Sequence, residues 1–173
     1  MASIQDRMIR AAKLDAHLYE EVEADQAAMG QAMGVVILSS AAAGIGNLGI
    51  GGLGAIIIGT LASLGGWYVW ALLTYLIGTR LLAEPQTEAD LGQLLRTIGF
   101  SSAPGLIRVV GIIPGLTGLV FSVAGIWMLV AMVIAVRQAL DYRSTWRAVA
   151  VCGIGFVVQA LLLLLVVSMF SSP

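Results

Sequence analysis

The sequence predicts an all-α, polytopic membrane helix bundle of five transmembrane helices preceded by a cytoplasmic amphipathic helix. Three observations predict it. Of 173 residues, 59% are hydrophobic and only 11% charged; long charge-free runs recur; and the basic residues collect on one side of those runs. Soluble domains carry roughly a quarter charged residues, so a soluble fold of this length could not hide so much apolar surface. The net charge of −1 and the scatter of Lys and Arg offer no basic field, which excludes nucleic acid as a partner.

Residues 1–28 form a polar first unit. On a helical wheel Ile4, Met8, Ala11, Ala12, Leu18, Tyr19 and Val22 gather on one side, opposite Asp6, Arg10, Lys13, His17, Glu20 and Glu21. Ser3 followed by Asp6 fits a capping pattern at the start, and Asp15 intrudes on the apolar stripe, breaking the helix into two short pieces. Such a helix, joined to a span, lies along the membrane surface or packs under the bundle. Its mixed charge argues against simple attraction to anionic lipid. The segment lacks the apolar core of a secretory signal peptide, so the first span serves as an uncleaved insertion signal.

Residues 29–173 form the transmembrane domain. The 54 residues from Gln26 to Thr79 contain no charged side chain, and as one helix they would extend about 80 Å, against a bilayer core of about 30 Å. The run must turn back, and Gly44–Gly54, rich in glycine with one asparagine, is the natural place. Spans one and two therefore fall near 29–45 and 55–76. Arg80–Arg96 returns the chain to water. The 40 residues from Thr97 to Val136 are interrupted only by Arg108. Pro114-Gly115 divides them into spans near 98–113 and 116–136. After the polar stretch Arg137–Arg147 the last span covers about 148–170.

The charges test this count independently. With five spans, eight of the nine basic residues, namely Arg7, Arg10, Lys13, Arg80, Arg96, Arg137, Arg143 and Arg147, share one side. The positive-inside rule then places the N-terminus in the cytoplasm and the C-terminus outside. A four-span alternative would move Arg137, Arg143 and Arg147 to the outer face. The third span is short and interrupted by Pro104, Gly105 and Arg108, a pattern for a kinked or re-entrant segment.

Arg108 is the single ionisable residue inside a predicted span, and its burial costs several kcal/mol. With no carboxylate in the spans to pair with it, it is expected to snorkel outward to a lipid headgroup. Gly30/Gly34 and Gly111/Gly115 have the G-x-x-x-G spacing that lets helix backbones approach closely in a membrane, and are candidate helix-packing residues. Trp146 and Arg147 read as an interfacial anchor. The G-x-G-x-x-G matches at Gly44–Gly49 and Gly49–Gly54 lack the βαβ unit, and the acid about 20 residues later, that a dinucleotide loop requires. His17 has no companions for zinc or haem, and Cys152 is a lone thiol in an apolar run. No catalytic residues, metal ligands or cofactor are expected. Glu20, Glu21, Glu23 and Asp25 read as a solvated acidic face.

Several segments carry a resemblance. Leu14–Asp25 before the first span, Leu76–Leu82 after the second, Leu94–Gly105, Ile112–Gly115, Ile126-Trp127, Arg137–Leu140 and Trp146–Ala148 together resemble bacterial members of the Yip1 domain family, five-span proteins with a cytoplasmic N-terminus. The Asp-Leu-Tyr-Gly-Pro motif of the eukaryotic branch is absent, so its vesicle-trafficking and small-GTPase partnerships are not carried over. The resemblance implies a non-enzymatic scaffold or accessory subunit of the bacterial cytoplasmic (inner) membrane, working among lipids and other integral membrane proteins within a larger assembly, for example an electron-transfer complex. The alternative is a small transporter, channel or lipid-handling protein using Arg108 and the broken third span.

Overall fold

The computed structural model describes residues 2–170, apart from the side chains of 48–53, 55, 163, 166 and 170, so the last three residues of the expected domain lie outside it. Helix α1 (Ile4–Ala12) begins where Ser3 Oγ accepts from the Asp6 N–H at 3.1 Å. The chain breaks at Leu14, whose φ is +62°, and α2 (Ala16–Ala24) starts with Asp15 accepting from the His17 N–H at 3.0 Å. An aspartate that would be a defect inside an apolar stripe is thus placed as a helix N-cap, where its acceptor satisfies an orphan donor. The pair does not lie loose. Ala11, Leu18, Tyr19 and Val22 are buried with Ala28, Ala32, Val35, Phe100, Ala103 and Ala135, and the Trp127 indole donates to the Ala12 carbonyl at 2.8 Å.

Helices α3 (Met29–Gly46) and α4 (Leu48–Leu76) are separated by Asn47 alone. The glycine-rich stretch expected as an eleven-residue turn is therefore helical almost throughout. Glycine weakens a helix by about 1 kcal/mol per residue relative to alanine, but a hairpin this tight needs small residues at its crossing: a Cβ on Gly44 would stand 2.8 Å from Ile56 Cγ1. At its other end α4 widens into a π turn, Ile77–Leu81. There Leu140 packs against the bare face of Gly78, and the Tyr142 hydroxyl donates to the Gly78 carbonyl at 2.9 Å.

The third element departs most from expectation. Helix α5 (Leu91–Ser101) starts inside the stretch read as a polar loop, because Asp90 and Gln93 form a reciprocal capping box, with bonds of 2.6 and 2.8 Å. Its continuation, Ala103–Ile112, is a ten-residue 3-10 helix, unusually long for that form. The 98–113 span is thus the end of one helix and a helix of another kind. At about 1.5 and 2.0 Å per residue the two extend roughly 36 Å. Gly92 at the start of α5 lies near Met29, and Gly111 near its end packs on Gly46, so the pair runs alongside α3 from end to end. Gly115, at φ +85°, turns the chain into α6 (Thr117–Ala139), and α7 (Thr145–Phe170) follows. Four helical stretches are long and apolar enough to cross a membrane: Gln26–Gly46, Ile56–Leu81, Thr117–Ala139 and Thr145–Met169. Among the described residues there is no strand.

Polar contacts tie the segments together at one end of the bundle. Arg96, 6% exposed, donates from Nε to the Val22 carbonyl at 2.8 Å and from Nη2 to the Glu23 carbonyl, placing a cation on the last-turn carbonyls of α2. Arg147 pairs with Glu84 at 3.1 Å, and Gln138 donates to Glu20.

Candidate functional site

Arg108 leaves the 3-10 helix at the level of Gly46: a Cβ on Gly46 would stand 2.1 Å from the Arg108 carbonyl oxygen. Its guanidinium does not extend outward past that end, as snorkelling would have it. Nη2 donates to Ser39 Oγ at 2.7 Å and to the Ser39 carbonyl at 3.1 Å, while Nε donates to the Gly105 carbonyl at 3.0 Å. Ser39 lies seven residues before Gly46 on α3, about 10 Å along the helix, so the charge is drawn into the bundle. Gly105 permits this. A Cβ there would meet Ser39 Oγ at 2.2 Å, Arg108 Nη2 at 2.7 Å and Met128 Sδ at 2.8 Å. The Phe121 ring lies 5.9 Å from Cζ, within reach of a cation–π contact. Among the described residues no carboxylate pairs with this arginine.

The guanidinium lines an open cavity of about 410 Å³ bordered by α3, α4, α6 and α7, with Ser39, Trp67, Trp70, Met128, Phe156 and Gln159 among its walls. Two wall residues carry buried polar atoms without a hydrogen-bond partner, Trp70 Nε1 and Gln159 Oε1. Sequence reasoning found the arginine by its charge but not the cavity, whose residues come from five separate segments.

The other candidate residues are dispersed. Gly111 packs on Gly46 and Phe121, whereas Gly115 serves the turn and has open space beyond its Cα. Gly30 likewise faces open space, and a Cβ on Gly34 would make only an ordinary contact with Ile4 at 3.5 Å, so the close contacts of α3 within the chain are made instead at Gly44 and Gly46, and at Ala32 against Gly99. Trp146 is 81% exposed beside the paired Arg147. Cys152 is buried.

The acidic face is partly buried at the charged end. Burial, reinforced by Asp141, Glu20 and Asp90 and opposed by Arg96, pushes the Glu23 carboxyl up from 4.5 to about 7. Between these values the folded protein holds a proton that the unfolded chain has released. The contribution of Glu23 to stability therefore falls as pH rises from about 4.5 to about 7 and is level above. Glu23→Gln is expected to flatten that part of the profile and to be more stable than wild type at pH 8. Thermal unfolding in detergent across the range reads this, and an unchanged slope would refute it.

An all-helical chain with four membrane-length apolar helices is an integral membrane protein. It belongs to the Yip1 domain family, whose model matches residues 20–167, from within α2 to near the end of α7. This is a family of membrane proteins and not of enzymes. No curated protein and no solved structure matches the chain.

Proposed function

We propose that the protein is a non-enzymatic scaffold or accessory subunit of a bacterial cytoplasmic membrane, crossing it five times with the N-terminus inside, and that it holds other membrane proteins through its lateral helix faces. The observation that carries this reading is how much of α4 and α7 no other part of the chain covers. Ile57, Ile58 and Leu61 on α4, and Leu161, Leu164 and Leu165 on α7, are each about 60 to 70% exposed. Close by in kind is Gly30 on α3, where an added Cβ has no described neighbour within 4 Å and a second helix has room to approach. A five-crossing path is supported by the roughly 36 Å reach of α5 with the 3-10 helix and by the shared end of the basic residues. Trp146 and Arg147 are then placed at the inner interface.

Purification in mild detergent followed by mass spectrometry tests the scaffold. Partners at fixed stoichiometry should be recovered with wild type and lost with Gly30→Leu, at a position where an added Cβ has no described neighbour within 4 Å. Recovery of the protein alone, or partner recovery indifferent to Gly30→Leu, would count against it. The topology has its own check: a cysteine introduced at Ser144 should be labelled from the cytoplasm and not from the outer side.

A further inference from the structure

We propose that the cavity beside Arg108 is a binding site for one long-chain fatty acid, with its carboxylate on the guanidinium and its chain among Trp67, Trp70, Met128 and Phe156. This goes beyond the scaffold reading and does not depend on it.

A guanidinium held about 10 Å inside the Gly46 end of α3 has only neutral oxygens and an aromatic face around it. A cation at that depth is strongly disfavoured unless an anion joins it, and the described residues provide none. The anion must come from outside, and the surrounding medium offers it as an amphiphile. The donors are already convergent. Ser39 accepts from Arg108 through its oxygen, which leaves its hydroxyl proton to give to a carboxylate.

Size and lining decide the rest of the ligand. About 410 Å³ lies in the lower part of the small-ligand range of roughly 300–1,000 Å³, a volume that suits one acyl chain. The walls away from Arg108 are mostly aromatic, thioether and aliphatic, interrupted by Ser63 and Gln159, with sulfur and rings that mould to a flexible chain. Trp70 is 8% exposed with its indole N–H unpartnered, and Gln159 Oε1 is unpartnered as well. These atoms are buried in the wall itself and face no open space, which leaves Arg108 as the cationic anchor of the cavity. The depth of the guanidinium also separates the candidates: a fatty-acid head is small enough to descend with its chain, whereas a phosphodiester headgroup belongs at the water interface.

The test uses the full-length protein in neutral maltoside micelles at pH 8, with stearic acid brominated in mid-chain as the probe. Bromine quenches indole emission at contact, and Trp67 and Trp70 line the cavity. The acid should quench saturably and bind roughly tenfold or more tightly than brominated stearyl alcohol. Arg108→Gln should abolish that preference and Arg108→Lys should keep part of it, while Trp70→Phe should reduce the quenchable emission. Inorganic phosphate alone should not compete, and unbrominated phosphatidylglycerol should compete poorly. Equal binding of acid and alcohol, or undiminished acid binding by Arg108→Gln, would overturn the site. Competition by the phospholipid equal to that of the acid would overturn the one-chain assignment, and competition by phosphate would overturn the amphiphile. Should Arg108→Gln fail to fold, Ser39→Ala, which removes one hydroxyl, must still weaken the acid and leave the alcohol unchanged.

Discussion

Gly46→Ala is expected to destabilise the bundle by about 3 kcal/mol, the upper end of what an added methyl costs in a packed interior. The reason is what the methyl would meet. Its nearest neighbours would be the Arg108 carbonyl oxygen at 2.1 Å, the carbonyl carbon at 3.1 Å and the Phe121 ring at 3.1 Å. A flexible side-chain tip could swing aside, but a peptide group in a helix cannot. The 3-10 helix must therefore move off α3, and Gly111, whose own Cβ position lies 3.3 Å from the Gly46 carbonyl oxygen, must move with it. That displacement also draws Arg108 from Ser39, so the substitution should weaken acid binding at the cavity as well as stability. Gly59→Ala and Gly65→Ala are the controls, since nothing lies within 4 Å of an added Cβ at either position; each should be neutral or stabilising by up to about 1 kcal/mol through helix propensity. Denaturant titration in mixed micelles measures all three. A Gly46→Ala midpoint within error of the controls would show that the α3 contact has slack.

The same contact shows what the sequence could and could not convey. The four long helices were legible because hydrocarbon selects for charge-free runs, and a run of that kind needs no tertiary context to be seen. The break at Asp15 was legible for a local reason too, since a carboxylate cannot join a buried stripe. The start of α5 carried its signal in Asp90-Leu-Gly-Gln93, a capping box obscured by the charges around it. The 3-10 helix carried none, because Pro104 and Gly105 fit a kinked α-helix equally well. G-x-x-x-G spacing pointed to Gly30 and Gly34, which make no tight contact within the described chain, whereas Gly46 approaches Arg108 and Phe121, and Gly105 approaches Ser39 and Met128, all on other helices. Arg108 was conspicuous in composition, but its inward direction depends on a missing Cβ at Gly105 and on Ser39, neither of which belongs to any local pattern.

Arg7 illustrates the long-range case more strongly, and its replacement is expected to release the N-terminal helices. In the sequence it is one of eight basic residues assigned to the same side of the membrane, yet it is 3% exposed. Its Nε and Nη2 donate to Glu21 Oε1 at 3.0 and 2.9 Å, Nη2 donates to Asp25 Oδ2 at 2.7 Å, and Nη1 donates to Gln31 Oε1 at 2.9 Å. One side chain thereby fastens α1 to both α2 and α3. Arg7→Met keeps the stem and removes every donor. Its charged bonds are worth roughly 1.5–3 kcal/mol in such settings, and the Glu21 side chain remains 35% exposed, so water recovers part of the loss; about 2 kcal/mol is expected. The loss should be local: α1 should become accessible to protease, and Trp127, losing the Ala12 carbonyl, should shift its emission. Acid should act in the same direction. Hydrogen bonds from Arg10 hold the Asp15 and Glu21 carboxyls below the ordinary range, and the bond from Arg7 does the same for Asp25. Their stabilisation is complete above the ordinary carboxylate range of about 4 and is lost as pH falls through the depressed folded values. Wild type should therefore release α1 on acidification, and Arg7→Met should show a blunted acid limb because Asp25 and Glu21 have lost a donor. Equal protection of α1 in the two proteins at neutral pH would mean that its apolar face, and not this ion cluster, keeps it in place.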